Sequence, residues 1–468
     1  MGPIPTVNRS KGLNRIQKQA IRRARGANLS DRQLTTIFQG KYFVMLKKIV
    51  PLSCLFLLAG SATAAASGYR VPEQSLNSTA LSSAYVANAH GPDAAYFNPA
   101  NMSEAGAGWQ AEWGLSFIHL PSIDYRDARG NMFNGSSEVE NFVIPNFFAI
   151  SPQYKNFRFG FAVVSPAGLS KRWDAPYPAT FAMENTLKVI EAAPSVSYKC
   201  NEVLSIALGL RLLYSDGVVK SRGTIIGIPA PPADEYVTIS RDLEGDTTEF
   251  GYNLALSVRP STNLTLAATY RSKIDLDLEG DGNLEASASF PNGLIPAKTY
   301  RGAGSVSIPI PAVLNLAAAY SFDRTTIELV YDRTFWSTYK TLDFNYASPL
   351  GNPFLEAAFN APIVKDWNDV DAYRLGLTYQ WNDDLALMAA TGLDGNPAPD
   401  HTLSFDLPDS DAWFASFGFR YRHGSRLSYG AAYLYADKEN RTVANGTVEG
   451  TFSGASTHLL ACSLTWLF

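Results

Sequence analysis

The chain has 468 residues, a formal charge of −4, 46% hydrophobic and 12% aromatic residues. Its mean hydropathy is −0.08, and after residue 66 no apolar run approaches the ~20 residues of a spanning helix, so a helical membrane protein is excluded. A barrel stays open because alternation hides its hydrophobicity, whereas the lack of a basic face after residue 44 excludes a nucleic-acid binder.

Residues 1–44 are rich in Arg and Lys and nearly free of acids, and they precede a complete export signal, as a misassigned translation start would. A basic targeting arm is the alternative, and it would have to be exported or clipped. Residues 45–66 carry the signal peptide. Met45, Lys47 and Lys48 precede an apolar run broken only by Pro51 and Ser53, and small residues follow, with cleavage expected after Ala64 or Ala66. Cys54 sits too early for a lipoprotein acylation site. Only Cys200 and Cys462 survive processing, on different expected strands, which argues against a disulfide framework.

Residues 67–107 show no sustained alternation and are rich in Ser, Ala, Asn and Gly. Either they form a disordered periplasmic leader or they plug a lumen. Leu76, Leu81, Tyr85, Tyr96 and Phe97 favour the plug, since a solvated leader has no use for them.

Residues 108–468 repeat one unit of alternating segment, long loop, alternating segment and short turn. In the first, Trp109, Ala111, Trp113, Leu115 and Phe117 share one face, and Gln110, Glu112, Gly114 and Ser116 share the other. The pattern places strands near 109–119, 142–153, 156–166, 188–200, 203–218, 248–259, 264–277, 303–319, 325–336, 371–381, 385–393, 411–422, 426–437 and 456–468. In the last, Leu460, Cys462, Leu464, Trp466 and Phe468 alternate with Ser463 and Thr465. That segment alone suits a soluble sandwich equally well. An even strand number, with every long connection on one side, instead predicts an all-β, 14-stranded antiparallel transmembrane β-barrel with the N-terminal hatch inside its lumen.

Ser67-Gly68-Tyr69, Ala84-Tyr85, Asp93-Ala94 and Asn98-Pro99-Ala100 resemble the N-terminal hatch of the FadL-type long-chain fatty-acid outer-membrane transporters. Pro194-Ser195-Val196-Ser197-Tyr198, Thr269-Tyr270-Arg271-Ser272 and Asp371-Ala372-Tyr373-Arg374 look like further family blocks, in family order. The resemblance implies facilitated diffusion of a hydrophobic ligand, captured among outer loops, passed to a tighter site and released sideways beside a kinked third strand. It matches Lys365 to the cation of the tighter site, although a solvated loop lysine is the ordinary alternative. The second family cation is not cleanly present, because its position, two after Tyr214, holds Asp216, with Lys220 and Arg222 further out. Gly160 is the candidate strand kink, or else a glycine at a tight bend, with Pro166 ending the strand. Leu169, Trp173 and Phe181 of the 167–187 loop, with Phe354 further on, are the candidate capture residues, unless they only pack the loops on each other.

Long-chain fatty acid or another hydrophobic compound is therefore the expected ligand. The other expected partners are outer-membrane lipid, lipopolysaccharide and the barrel-insertion machinery, and the protein is expected to be a monomer with no cofactor and no metal. An aromatic-hydrocarbon channel of the same family is the transport alternative, favoured by the missing cation. A surface adhesin or a lipid-active enzyme is the alternative of another class. For the enzyme, His119 and Ser116 lack a paired acid, and His90, His119, His401, His423 and His458 show no metal-pair spacing.

Overall fold

A computed structural model describes residues 68–228, 235–288 and 297–468. The expected extension 1–44, the signal peptide 45–66 and Ser67 lie outside the described residues. Among the described residues, fourteen antiparallel strands close into a barrel. They are β1 (Gln110–Leu120), β2 (Glu140–Ile150), β3 (Phe157–Val164, resuming at Gly168–Arg172), β4 (Glu184–Lys199), β5 (Leu204–Ile228), β6 (Glu235–Ser261) and β7 (Leu264–Arg271, resuming at Ile274–Ala288). After them come β8 (Lys298–Ile310, resuming at Val313–Phe322), β9 (Thr325–Thr334), β10 (Val370–Gln380), β11 (Leu385–Asp394), β12 (Ala412–His423), β13 (Leu427–Lys438) and β14 (Ser456–Leu467).

Closure follows from the two alternating ends. β1 pairs with β14 from Gln110↔Leu467 to His119↔His458, and the Phe468 amide donates to the Trp109 carbonyl at 2.9 Å. Trp113, Leu115 and Phe117 are exposed on the outer face, while Glu112 and Ser116 are buried within. Trp109, Tyr198, Tyr320, Tyr379, Trp381 and Trp466 stand exposed near the short-turn rim, an aromatic girdle of the kind that marks a membrane interface.

The wall departs from expectation on one side. Residues 219–228 and 235–247, expected as parts of a loop, instead continue β5 and β6 as a ribbon paired from Gly217↔Gly245 through Thr224↔Thr238. The alternation persists there, but its outer face turns polar, with Lys220 bridging Asp242 at 3.2 Å, so the strand signal fades where the lipid ends. β7 and β8 extend alongside it, interrupted at 272–273 and 311–312.

Residues 68–107 fill the lumen. A short helix, Leu76–Ala80, is capped by Ser75, whose hydroxyl accepts from the Ser78 amide. In Asn98-Pro99-Ala100, the Asn98 carboxamide accepts from the Ala100 amide and donates to the Val86 carbonyl. Pro99 opens a 3-10 turn over Pro99–Glu104, where a missing N–H costs nothing. Leu76, Leu81 and Tyr85 pack against Met388, Phe414, Leu434 and Leu459 of the wall.

Polar lumen groups are paired with the hatch. Arg420 joins Glu112 of β1 to Asn77, and Arg271, held by Glu191, lies over the Tyr96 ring at 3.6 Å. Ser257 donates to Asn101 at 2.6 Å. Glu328 of β9 accepts the successive amides of Val86, Ala87 and Asn88 at 2.8, 2.5 and 3.2 Å.

Gly160 is not the kink of β3. It sits in regular ladder between Ile150 of β2 and Ser195 of β4, and a Cβ there would come within 2.4 Å of Met102 Sδ and 2.8 Å of Ala95. Its lack of a side chain makes room for the hatch.

Replacing Glu328 with Ala leaves the buried amides of Val86 and Ala87 and the half-buried amide of Asn88 without an acceptor, at roughly 1–3 kcal/mol for each buried one. The expected outcome is faster hydrogen exchange at residues 86–88 and a higher ion conductance of the barrel in planar bilayers; unchanged exchange at these amides would refute the anchor.

Candidate functional site

The interruption of β3 falls at 165–167, where Pro166 holds Ser165 extended and supplies no amide. Below it, β2 pairs with β3 only over Phe147↔Val163 to Ile150↔Gly160. Above it, the segment Gly168–Arg172 pairs with β4, and the upper part of β2 pairs with β1. β2 and β3 thus separate toward the loop side, leaving a gap in the wall.

Hatch residues occupy the inner side of this gap. The Gly168 amide donates to the Tyr69 carbonyl at 3.0 Å, and the Val71 amide to the Pro166 carbonyl at 2.9 Å. Gln74 serves both backbone groups of Ser165: its Nε2 donates to the Ser165 carbonyl and its Oε1 accepts the Ser165 amide, each at 2.8 Å. The interrupted strand therefore finds its backbone partners in the hatch, as buried backbone groups must.

The start of the hatch is clamped in turn. Tyr69 lies among Trp336, Tyr339 and Trp367, with ring centroids 4.6, 6.3 and 5.8 Å away, and its hydroxyl donates to the Pro309 carbonyl. Gly68 has a φ of +64°, and a Cβ on it would meet Trp336 at 2.7 Å, so glycine is required there twice over. Its amide donates to Asp409, which also holds Lys438 at 2.5 Å.

A cavity of about 700 Å3, within the usual range for small-molecule sites, lies beside this clamp. Inward-facing Ile118, Ile144, Val164 and Leu459 line it. So do Val143 and Ile190, whose side chains are exposed on the outer face. A cavity bordered by both faces of the sheet passes through the wall.

Of the residues expected to bind ligand, Leu169 lines this cavity, as do Gly68 and Tyr69 of the hatch. Trp173 and Phe181 do not. They close a loop core with Phe405, Trp173 donating from Nε1 to the Phe405 carbonyl and Phe181 stacking on the Phe405 ring at 5.6 Å. Phe354 packs in a separate cluster with Leu355, Phe359 and the outer parts of β6 and β7. The loop aromatics thus satisfy one another, the alternative left open by their sequence.

Lys365 is buried and forms an ion pair with Asp406 at 2.5 Å. Burial pushes the Asp406 carboxyl up, but the Lys365 ammonium overrides it and holds the group below the usual carboxylate range. Lys365 is absent from the described cavity lining, and Asp216 pairs with Lys188 on the outer face.

Four basic residues reach the cavity, and one of them, Lys171, lies in the upper segment of β3. It was hidden in a stretch that reads as loop after Pro166. β4 shows that this level lies above the lipid, since its outer face turns from Ile190 to Lys188, Thr186 and Glu184. Lys171 is only 5% exposed, and its ammonium donates one long hydrogen bond, 3.4 Å to the Ser137 hydroxyl. Burial pushes its ammonium down to about 8; nearby Lys438 adds to that push and Glu140 opposes it.

A closed barrel with a filled lumen and a cavity through its side defines a transport barrel of the outer membrane. The chain belongs to the outer membrane protein transport protein family (OMPP1/FadL/TodX), whose model matches residues 57–467. A long-chain fatty acid transport protein of Escherichia coli O6:H1 is 23% identical over 71% of this chain and 79% of its own length. The structure of a Pseudomonas aeruginosa FadL homologue is similar with a TM-score of 0.72 at 21% identity, covering 86% of this chain and all of that one. The Pseudomonas putida toluene transporter TodX is similar with a TM-score of 0.65 at 18% identity, covering 87% of this chain and all of that one.

Replacing Gln74 with Leu removes both partners of Ser165, a loss of roughly 1–3 kcal/mol per buried group. The Ser165 amide is expected to exchange much faster with solvent while the β1–β14 ladder keeps its protection. Equal protection of Ser165 in the variant would show that the hatch does not hold the break.

Proposed function

We propose that this protein carries long-chain fatty acids or similar hydrophobic compounds across the outer membrane by facilitated diffusion, with exit sideways between β2 and β3. One observation carries this: an apolar cavity is bordered by both faces of the wall and closed from inside by the hatch. A hydrophobic solute gains by leaving water for the cavity, at roughly 25 cal/mol per Å2 of apolar surface, and loses nothing by passing from there into lipid. The lumen axis offers no such route, since the hatch fills it with paired polar groups.

In this proposal Leu169 lines the path, Gly68 and Tyr69 form the stopper, and the loop core containing Trp173 and Phe181 fixes the mouth. Lys365 acts by holding Asp406 beside Phe405, and Phe354 belongs to the outer ribbon. Lipid and lipopolysaccharide surround the aromatic belt of a monomer, and the insertion machinery reads the terminal strand ending at Phe468. Transport of an aromatic hydrocarbon is the second reading. It is favoured by the neutralisation of Lys365 by Asp406 and by the outward-facing Asp216 at the expected position of a second cation.

Deletion of the gene is expected to abolish growth on oleate, or on toluene under the second reading; growth on both without the protein would refute transport. Ile144→Trp, which overfills the cavity at about 1–3 kcal/mol, is expected to slow uptake tenfold or more in a barrel that still folds. Uptake at the normal rate through that variant would exclude the side route.

A further inference from the structure

We infer that Lys171 is the head-group anchor of this cavity, and that the cargo is an amphiphile bearing a single carboxylate on an apolar chain. The inference rests on the transport proposal and chooses between its two cargo classes. Four basic residues line the cavity, and three have a carboxylate partner: Arg70 with Asp332 at 3.1 Å, Lys188 with Asp216 at 3.3 Å and Lys438 with Asp409 at 2.5 Å. Among the described residues, Lys171 has no carboxylate within ion-pair distance. The nearest candidate in chemical terms, Glu140, is engaged by both Nε and Nη2 of Arg172 at 2.9 and 2.5 Å.

A buried ammonium with one long hydrogen bond has three donors and little to satisfy them. Its burial is costly unless an anion joins it, and a carboxylate entering the cavity supplies that anion together with charge-assisted hydrogen bonds. The position suits the other half of such a molecule. Lys171 lies near the loop end of the broken strand, above the lipid. Leu169 precedes it by two positions, and Ile144, Val164 and Val143 lead from there to the gap. A chain held by its head at Lys171 would have its tail directed at the opening in the wall. A neutral aromatic ring would leave the ammonium as it stands, so the geometry favours the carboxylate.

Equilibrium binding to the full-length protein in lipid nanodiscs would test this, with oleate, oleyl alcohol and toluene as probes. Lys171→Met is expected to weaken oleate about tenfold or more and to leave oleyl alcohol unchanged, whereas Lys171→Arg retains oleate binding. Oleate bound equally by the wild type and Lys171→Met would overturn the assignment, as would a parallel loss of oleate and oleyl alcohol, which marks a structural lysine. A wild type that binds toluene but not oleate overturns the inference and leaves transport standing; one that binds none of the three removes both.

Discussion

The structure depends on the rule that a backbone surrounded by lipid must find all its hydrogen-bond partners within the protein. A barrel meets that rule by closing on itself, as β1 and β14 do along ten residue pairs from Gln110↔Leu467 to His119↔His458. The same rule makes a break in the wall expensive. At 165–167 the expense is avoided because Tyr69, Val71 and Gln74 of the hatch take the place of a neighbouring strand. The interruption and the hatch are therefore one structural device, and neither is explicable alone.

The lumen shows the same reciprocity. A barrel of this width has a polar interior that its own side chains cannot fill. The hatch brings small residues where the wall is close, as at Gly160 against Met102 and Ala95, and hydrogen-bonding groups where the wall is charged, as at Glu328, Arg420 and Arg271. Its serines, asparagines and alanines, which look like a disordered leader by composition, are the complement of that interior.

Strand number and closure were legible in the sequence because period-two alternation is imposed by lipid on one side and polar lumen on the other, whereas the hatch was legible from Leu76, Leu81, Tyr85, Tyr96 and Phe97 in a stretch without alternation. The ribbon of β5 and β6 was not, because Lys220 and Arg222 stand where lipid-facing residues would be, and the two faces stop differing in polarity. Gly160 suggests a kink only through the general weakness of glycine in strands, and its sequence suits a tight bend equally well. The break belongs instead to Pro166, whose effect depends on hatch residues some 90 positions away, as in the Gln74 to Ser165 contact. Lys365 was drawn from a resemblance to known transporters, and no local pattern could have shown that Asp406 would neutralise it. Lys171 is silent in the sequence for a related reason. Its significance lies in what is missing around it, and a missing partner leaves no mark in a sequence.

The anchoring of the hatch is uneven along its length. Residues 86–88, Asn98 and Asn101 are bound deep in the lumen by Glu328, Val86 and Ser257, whereas the stretch from Gly68 to Val71 is held at the wall break and by Asp409. The front and the rear of the hatch are thus held by separate sets of contacts. In the proposed side route, release of the front alone would open the wall while the axis stays sealed, so that an oily nutrient could enter without a water-filled hole being left for hydrophilic solutes.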